Sequence, residues 1–310
     1  MSTTVIAPEL RRTWLFGPGA DAAAHEAMLA CGADLVIFDL EDSTPAPRRP
    51  EARARLAGLV RRCRTAGIVS AVRINALDCP GPEPADGPAD LAAAMNARPD
   101  VIVYPMAETA AQMRALDVAI GDWERRLAAE GAVLGRTEIL PVCETALGVV
   151  DVRALAAASP RIRCALLGTE DLANDLCAER GADAVELDHA RRRFVLECRA
   201  ARIEPVDAPY TFSDVEGAVR EAAFARRLGY RCKSLVLPQH AAALNDAMTP
   251  GATEVARAEA LVQAFEAARA RGEDRALVEG LWVEVPTYRN ARRLIERARH
   301  LGTVHGAWAR

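Results

Sequence analysis

Eight short apolar runs punctuate the chain, at Thr13–Phe16, Leu35–Leu40, Ser70–Ile74, Val101–Pro105, Glu138–Cys143, Cys164–Gly168, Ile203–Asp207 and Lys233–Leu237. Their hydrophobic residues run on continuously instead of alternating with polar ones, as in parallel strands covered on both faces. Between them lie Ala-, Arg- and Glu-rich stretches of helical character: Asp21–Cys31, Pro50–Ala66, Ala107–Leu127, Ala182–Ala201 and Asp214–Leu228, the last ended by Gly229 as a C-cap. Eight βα units predict an α/β fold of the (β/α)8 TIM-barrel type, with a doubly wound sheet as the rival topology. Residues 1–250 are assigned to the barrel and 251–310 to a C-terminal helical extension. The extension reads as a helix over Thr253–Arg271, a turn with a short extended piece over Gly272–Trp282, and a helix over Pro286–Leu301. It exceeds what closing a barrel requires, so it is expected to act as a lid over the barrel mouth or to pack on a neighbouring subunit. The Pro/Gly-rich segment Cys79–Pro88 reads as a loop above the third strand and a rim of the pocket.

Composition narrows the class without naming the chemistry. With 310 residues, 51% hydrophobic and 26% charged, the chain is an ordinary globular one and not a disordered or fibrous one. Its 39 basic and 43 acidic residues leave a net charge of −4, which gives no support to nucleic-acid binding. No run approaches the roughly 18 apolar residues of a membrane span, and Met1–Arg12 holds no apolar run of signal-peptide length. Eight scattered cysteines without a CxxC pair read as reduced thiols, so a cytoplasmic protein is expected.

In a barrel, chemistry sits where the strands end. The second run ends in Asp39-Leu40-Glu41-Asp42, the third in Arg73-Ile74-Asn75, the fifth leads into Glu144-Thr145, and the sixth into Gly168-Thr169-Glu170-Asp171. Each has a structural reading: Asp42 or Asp171 as a helix cap, Arg73 as half of an ion pair. Glu144 has no obvious capping position. Together the acids would repel one another unless a cation lay between them, and two carboxylates plus waters is the usual protein share of a Mg²⁺ site. None of the five histidines (25, 189, 240, 300 and 305) lies at a strand end, which argues against zinc and against a Ser-His-Asp hydrolase. A P-loop and a strand-borne GxGxxG are both absent, which removes nucleotide hydrolysis and NAD chemistry as leading ideas.

The ordered motifs Arg12-Thr-Trp-Leu-Phe-Gly-Pro-Gly19, Gly32-Ala-Asp-Leu-Val-Ile-Phe-Asp-Leu-Glu-Asp42, Val72-Arg-Ile-Asn75, Glu144-Thr-Ala146 and Gly168-Thr-Glu-Asp-Leu172 resemble the HpcH/HpaI aldolase and citrate lyase β-subunit superfamily. The resemblance runs from about Arg12 to Arg299. The Asp-Leu-Glu-Asp form and the long tail are similar to its CoA-ester lyase branch, the citrate lyase β-like, malyl-CoA and citramalyl-CoA lyases. The resemblance implies that Glu144 and Asp171 hold Mg²⁺, with Mn²⁺ as an alternative. It implies that Arg73 binds the carboxylate of a 2-oxo-acid portion through its planar fork, and that Glu41 and Asp42 lie beside the metal as catalytic groups. Asp39 is expected to support that loop, while Arg12, Gly17, Gly19 and Asn75 are placed with substrate.

The implied reaction is reversible carbon–carbon cleavage of a 3-hydroxy-acyl-CoA into a 2-oxo acid and acetyl-CoA. The implied partners are small molecules and further copies of the chain, as a homotrimer or hexamer in which Glu284 crosses to a neighbouring site as acid/base. Glu284 also reads as a cap for the helix that follows it. Three positions depart from the family pattern. Met106 follows Pro105 where Lys is frequent, Leu237 stands in Val236-Leu237-Pro238 where His is frequent, and Glu284 replaces Asp. They leave open a CoA-independent class II aldolase of pyruvate-derived hydroxy acids, and a β subunit that works only within a larger lyase.

Overall fold

The computed structural model describes residues 6–77, 86–132, 136–181 and 183–305. Eight strands close into a parallel barrel in chain order: β1 Thr13–Pro18, β2 Leu35–Asp39, β3 Val69–Arg73, β4 Val101–Tyr104, β5 Glu138–Cys143, β6 Cys164–Leu167, β7 Glu204–Asp207 and β8 Cys232–Leu235. All eight fall on the expected apolar runs, and closure between β1 and β8 excludes the doubly wound sheet. Outside the strands lie helices α1 Ala22–Ala30, α2 Arg49–Ala66, α3 Asp86–Ala97, α4 Ala110–Ala129, α5 Ala146–Val150, α6 Val152–Ala157, α7 Thr169–Asp175, α8 Asp188–Ala200, α9 Val215–Leu228 and α10 Ala241–Met248. Gly229 ends α9 in the left-handed conformation, φ +112°, as its position promised.

Local chemistry explains the shifted boundaries. The helix expected from Ala107 starts at Ala110, because Thr109 and Gln112 form a capping box that fixes its first turn. The stretch expected as one helix over Ala182–Ala201 is a 3-10 turn, Val185–Leu187, and then α8, since the left-handed Ala184 interrupts it; Ala182 lies outside the described residues. Of the expected loop Cys79–Pro88, residues 79–85 lie outside the described residues, and Asp86–Pro88 already belong to α3.

The barrel interior is a dry column: Trp14 from β1, Leu35 and Ile37 from β2, Val69 and Ala71 from β3, Leu140 and Val142 from β5, Cys164 and Leu166 from β6. These are every second residue along each strand, since successive side chains of a strand point to opposite faces. The chain divides into two compact units, 1–246 and 247–310, four residues before the expected boundary. In the second unit α11 Ala252–Ala270 packs on α12 Val285–His305, with a hairpin of β9 Ala276–Val278 and β10 Leu281–Val283 between them in sequence. Its two-residue turn, Glu279-Gly280, has φ of +49° and +80°, the geometry that matches strand twist in a tight hairpin. No helix among the described residues is long and apolar enough to cross a membrane.

Candidate active site at the barrel mouth

One further step of two along each inward-facing series passes from the dry column to the strands' C-terminal ends. On β2 it reaches Asp39, on β3 Arg73, past β5 Glu144, and past β6 Gly168. Asp39 and Arg73 are cross-strand partners in the sheet register. Strand periodicity therefore carries three ionisable side chains and one glycine to a single opening.

Arg73 is the hub. Its Nε and Nη2 donate to the two oxygens of Asp39 at 2.6 and 2.7 Å, and its guanidinium lies 5.3 Å above the Phe16 ring. Nη1 lies 2.7 Å from Glu41 Oε2 and 3.4 Å from Asp42. The Glu41 contact is off the N–H direction, so Oε2 is a buried ion-pair oxygen without a hydrogen bond. Burial would raise the Asp39 carboxyl, but Arg73, the Ser43 hydroxyl and the Glu41 amide outweigh it and hold it below the usual carboxylate range. Glu41 goes the other way. Burial and the charges of Asp42, Asp39 and Glu144 outweigh Arg73, already neutralised by Asp39, and push Glu41 up to about 8.

Glu144 is 4% exposed and accepts the Met106 N–H at 2.7 Å through Oε1. Gly168 makes room for it: a Cβ there would lie 2.7 Å from Glu144 Oε2, so a side chain cannot stand opposite. Burial, with the negative charges of Asp171 and Asp42, pushes the Glu144 carboxyl up to about 7 against the Met106 N–H and Arg73. The cap of α5 is Thr145, whose hydroxyl accepts from Gly148 N at 3.1 Å, so Glu144 has no capping duty. Asp171, third residue of α7, is exposed and caps nothing; its carboxylate has no hydrogen-bond or ion-pair partner among the described residues. No group of three or more His, Cys, Asp or Glu among the described residues is placed to hold a metal ion. The mouth offers an acidic pair of hard oxygen donors, not a closed cage.

A sequence model of HpcH/HpaI aldolase/citrate lyase matches residues 12–238. The chain belongs to this family. It is 33% identical over 300 residues to the citrate lyase subunit beta of Leuconostoc mesenteroides subsp. cremoris, covering 96% of this chain and 97% of that one. It is 31% identical to an L-malyl-CoA/beta-methylmalyl-CoA lyase of Cereibacter sphaeroides, covering 93% and 94%. Among solved structures it resembles CitE from Mycobacterium tuberculosis in complex with magnesium, acetoacetate and coenzyme A, with a TM-score of 0.71, 27% identity, and 93% and 98% of the two chains covered. As a member of this family the chain is a carbon–carbon lyase.

The family motifs do not all reach the mouth. Arg12 precedes β1, at the opposite end of the strands, where its guanidinium and backbone N–H engage Asp34 at 2.7–2.8 Å; it is a buried floor residue and not a substrate contact. Gly19 is required by the sheet itself. Its N–H donates to Asp39 O and Thr44 Oγ1, both at 2.9 Å, and a Cβ would lie 2.7 Å from Asp39 O. At Gly17 a Cβ would meet the Met28 thioether of α1. Asn75 donates through Nδ2 to Leu40 O at 2.9 Å and to buried Asp90 at 2.7 Å, tying the exit of β2 to α3. The Nε–Nη2 edge of the Arg73 guanidinium is engaged by Asp39, and Nη1 faces Glu41 and Asp42. Glu284 precedes α12 in the second unit. It is exposed, its carbonyl accepts the Tyr288 N–H at 2.9 Å, and its carboxylate has no hydrogen-bond partner among the described residues. The sequence shows Gly168 only as part of a strand-end motif; continuing the inward period of two identifies it as the residue that faces Glu144.

Proposed function

We propose that the chain reversibly cleaves a 3-hydroxy-acyl thioester of the malyl-CoA or citramalyl-CoA kind into a 2-oxo acid and an acyl-CoA such as acetyl-CoA. The observation that carries this reading is a Glu144 raised by burial and its acidic neighbours, beside an Asp171 with no partner among the described residues and the Arg73 guanidinium at one mouth. This donor set fits Mg²⁺, or Mn²⁺. Two carboxylates leave positions open for water and substrate oxygens, and a cation would offset the burial and repulsion that raise Glu144. In this reading Glu144 and Asp171 hold the ion. When bound, it supplies positive charge that lowers the pKa of a substrate hydroxyl and stabilises charge on the oxygen of the emerging ketone.

Arg73, fixed by Asp39 on one edge, takes the substrate carboxylate on Nη1, in the place that Glu41 and Asp42 occupy in the free protein. Loss of the hydroxyl proton forms the ketone, breaks the carbon–carbon bond and releases the thioester enolate, whose carbon then needs a proton. Glu284 serves this step from a neighbouring subunit of a trimer or hexamer. Its exposed carboxylate, without a partner among the described residues, supports that role.

An apolar Met106, 41% exposed at the rim, favours a second reading, a CoA-independent aldolase, since no ammonium is offered there to a phosphate. The test is purified protein with Mg²⁺ given malyl-CoA, citramalyl-CoA and a free hydroxy-oxo acid, with products identified. Cleavage of the thioesters supports the proposal. Cleavage of the free acid alone supports the second reading, and activity appearing only with added lyase subunits would make the chain a β component of a larger enzyme. Co-assembled Glu144→Ala and Glu284→Ala variants should regain activity if Glu284 acts across subunits.

A further inference from the structure

We infer that Met106 is a positioning residue that acts through its backbone: its left-handed turn at the exit of β4 aims an N–H at Glu144 Oε1 and so decides which carboxylate oxygen is left for a cation. The inference rests on the carboxylate-pair reading above.

Met106 has φ +46°, a region in which a residue with a Cβ is strained. Three bonds hold it there. Its N–H donates to Glu144 Oε1 at 2.7 Å, the next N–H, of Ala107, donates to Val142 O on β5 at 3.0 Å, and its carbonyl accepts Gln112 Nε2 at 3.4 Å. Gln112 is itself fixed by accepting the Glu108 and Thr109 N–H groups, each at 2.9 Å. The thioether is not what the position needs, because the side chain is 41% exposed while the N–H is committed to a buried carboxylate. With Ala107 held to Val142 O, a rotation of φ at Met106 to an ordinary negative value would swing the peptide between Pro105 and Met106, and Glu144 Oε1 would lose its donor. Strained backbone that survives beside a functional carboxylate is thus part of the site's construction.

The claim separates backbone from side chain, so a graded series tests it. Met106→Gly and Met106→Asn put residues that tolerate the left-handed region at this place; Met106→Val and Met106→Thr put β-branched residues that resist it. Mg²⁺ affinity of the full chain is measured by calorimetry, with melting temperature recorded separately. Gly and Asn are expected to bind within about twofold of the wild type, and Val and Thr about tenfold more weakly, whatever the order of melting temperatures. Affinity that follows side-chain size or apolarity, or that is equal across the series, would overturn the inference alone. A wild type that takes no Mg²⁺ would overturn the carboxylate-pair reading and this inference with it.

Discussion

The two ends of the barrel use the same residue types to opposite effect. At the N-terminal end, Glu138 is held by Arg11 at 2.7 and 2.9 Å and by Arg163 at 3.0 Å, Asp34 by Arg12 at 2.8 Å, and Glu204 by Arg199 at 2.6 and 2.8 Å. At the C-terminal end Arg73 lies among Asp39, Glu41, Asp42 and Glu144, with Asp171 beside Glu144, and Asp39 takes two of its nitrogens. The floor closes its charge internally. Around Arg73 the mouth leaves more acids than it pairs, and burial together with that surplus raises Glu41 and Glu144. An acid that stabilises the fold at one end is therefore available for chemistry at the other.

The contrast breaks most visibly at Glu144. Glu144→Ala should lower Mg²⁺-dependent turnover by about a thousandfold or more while unfolding stays cooperative, measured by steady-state kinetics and thermal melting. Its counterpart on the floor, Glu138→Ala, leaves the fully buried Arg11 unpaired and should cost about 3–5 kcal/mol of stability in denaturant unfolding. That variant should bind Mg²⁺ as the wild type does. If Glu138→Ala lost the cation and kept its stability, the division between the two ends would be wrong.

How much of this the chain discloses before folding depends on the interaction concerned. The strands are legible because burial on both faces leaves unbroken apolar runs, as in Leu35–Phe38 and Val101–Tyr104. Helices α3, α5, α6, α7 and α10 are not, since short, Ala- and Gly-containing segments such as Ala146–Val150 take their form from packing on the barrel. Glu144 and Asp171 stand out because acids directly after apolar strands lack a local explanation. Arg12 misleads for the same reason that it is conspicuous. A charge beside a strand reads as functional at either end, and only the strand direction, with Asp34 opposite, assigns it to the floor. The use of Arg73's fork by Asp39 is a cross-strand contact that no local pattern announces.

Smaller effects sharpen the comparison. Arg73→Lys should lower kcat/KM by about a hundredfold, because an ammonium cannot hold Asp39 on one edge and a substrate carboxylate on another. Near-normal kinetics would mark Arg73 as an ion-pair residue like those of the floor. The pH dependence has a fixed sign. Glu144 is raised to about 7, so below about that pH the free folded protein carries a proton there that a cation must displace. Mg²⁺ affinity should be full above about pH 7 and fall by up to tenfold per unit below it, with matching proton release in buffers of different ionisation heat. A flat profile between pH 5.5 and 8, roughly, would mean that the raised carboxyl is not on the cation's path.

The most direct measurement is calorimetric titration of Mg²⁺ into three forms of the full chain: wild type, Asp171→Asn at the mouth and Glu138→Gln on the floor. The account predicts one ion per chain for the wild type and for Glu138→Gln, and no measurable binding for Asp171→Asn. Equal binding by all three forms, or none by the wild type, would contradict it.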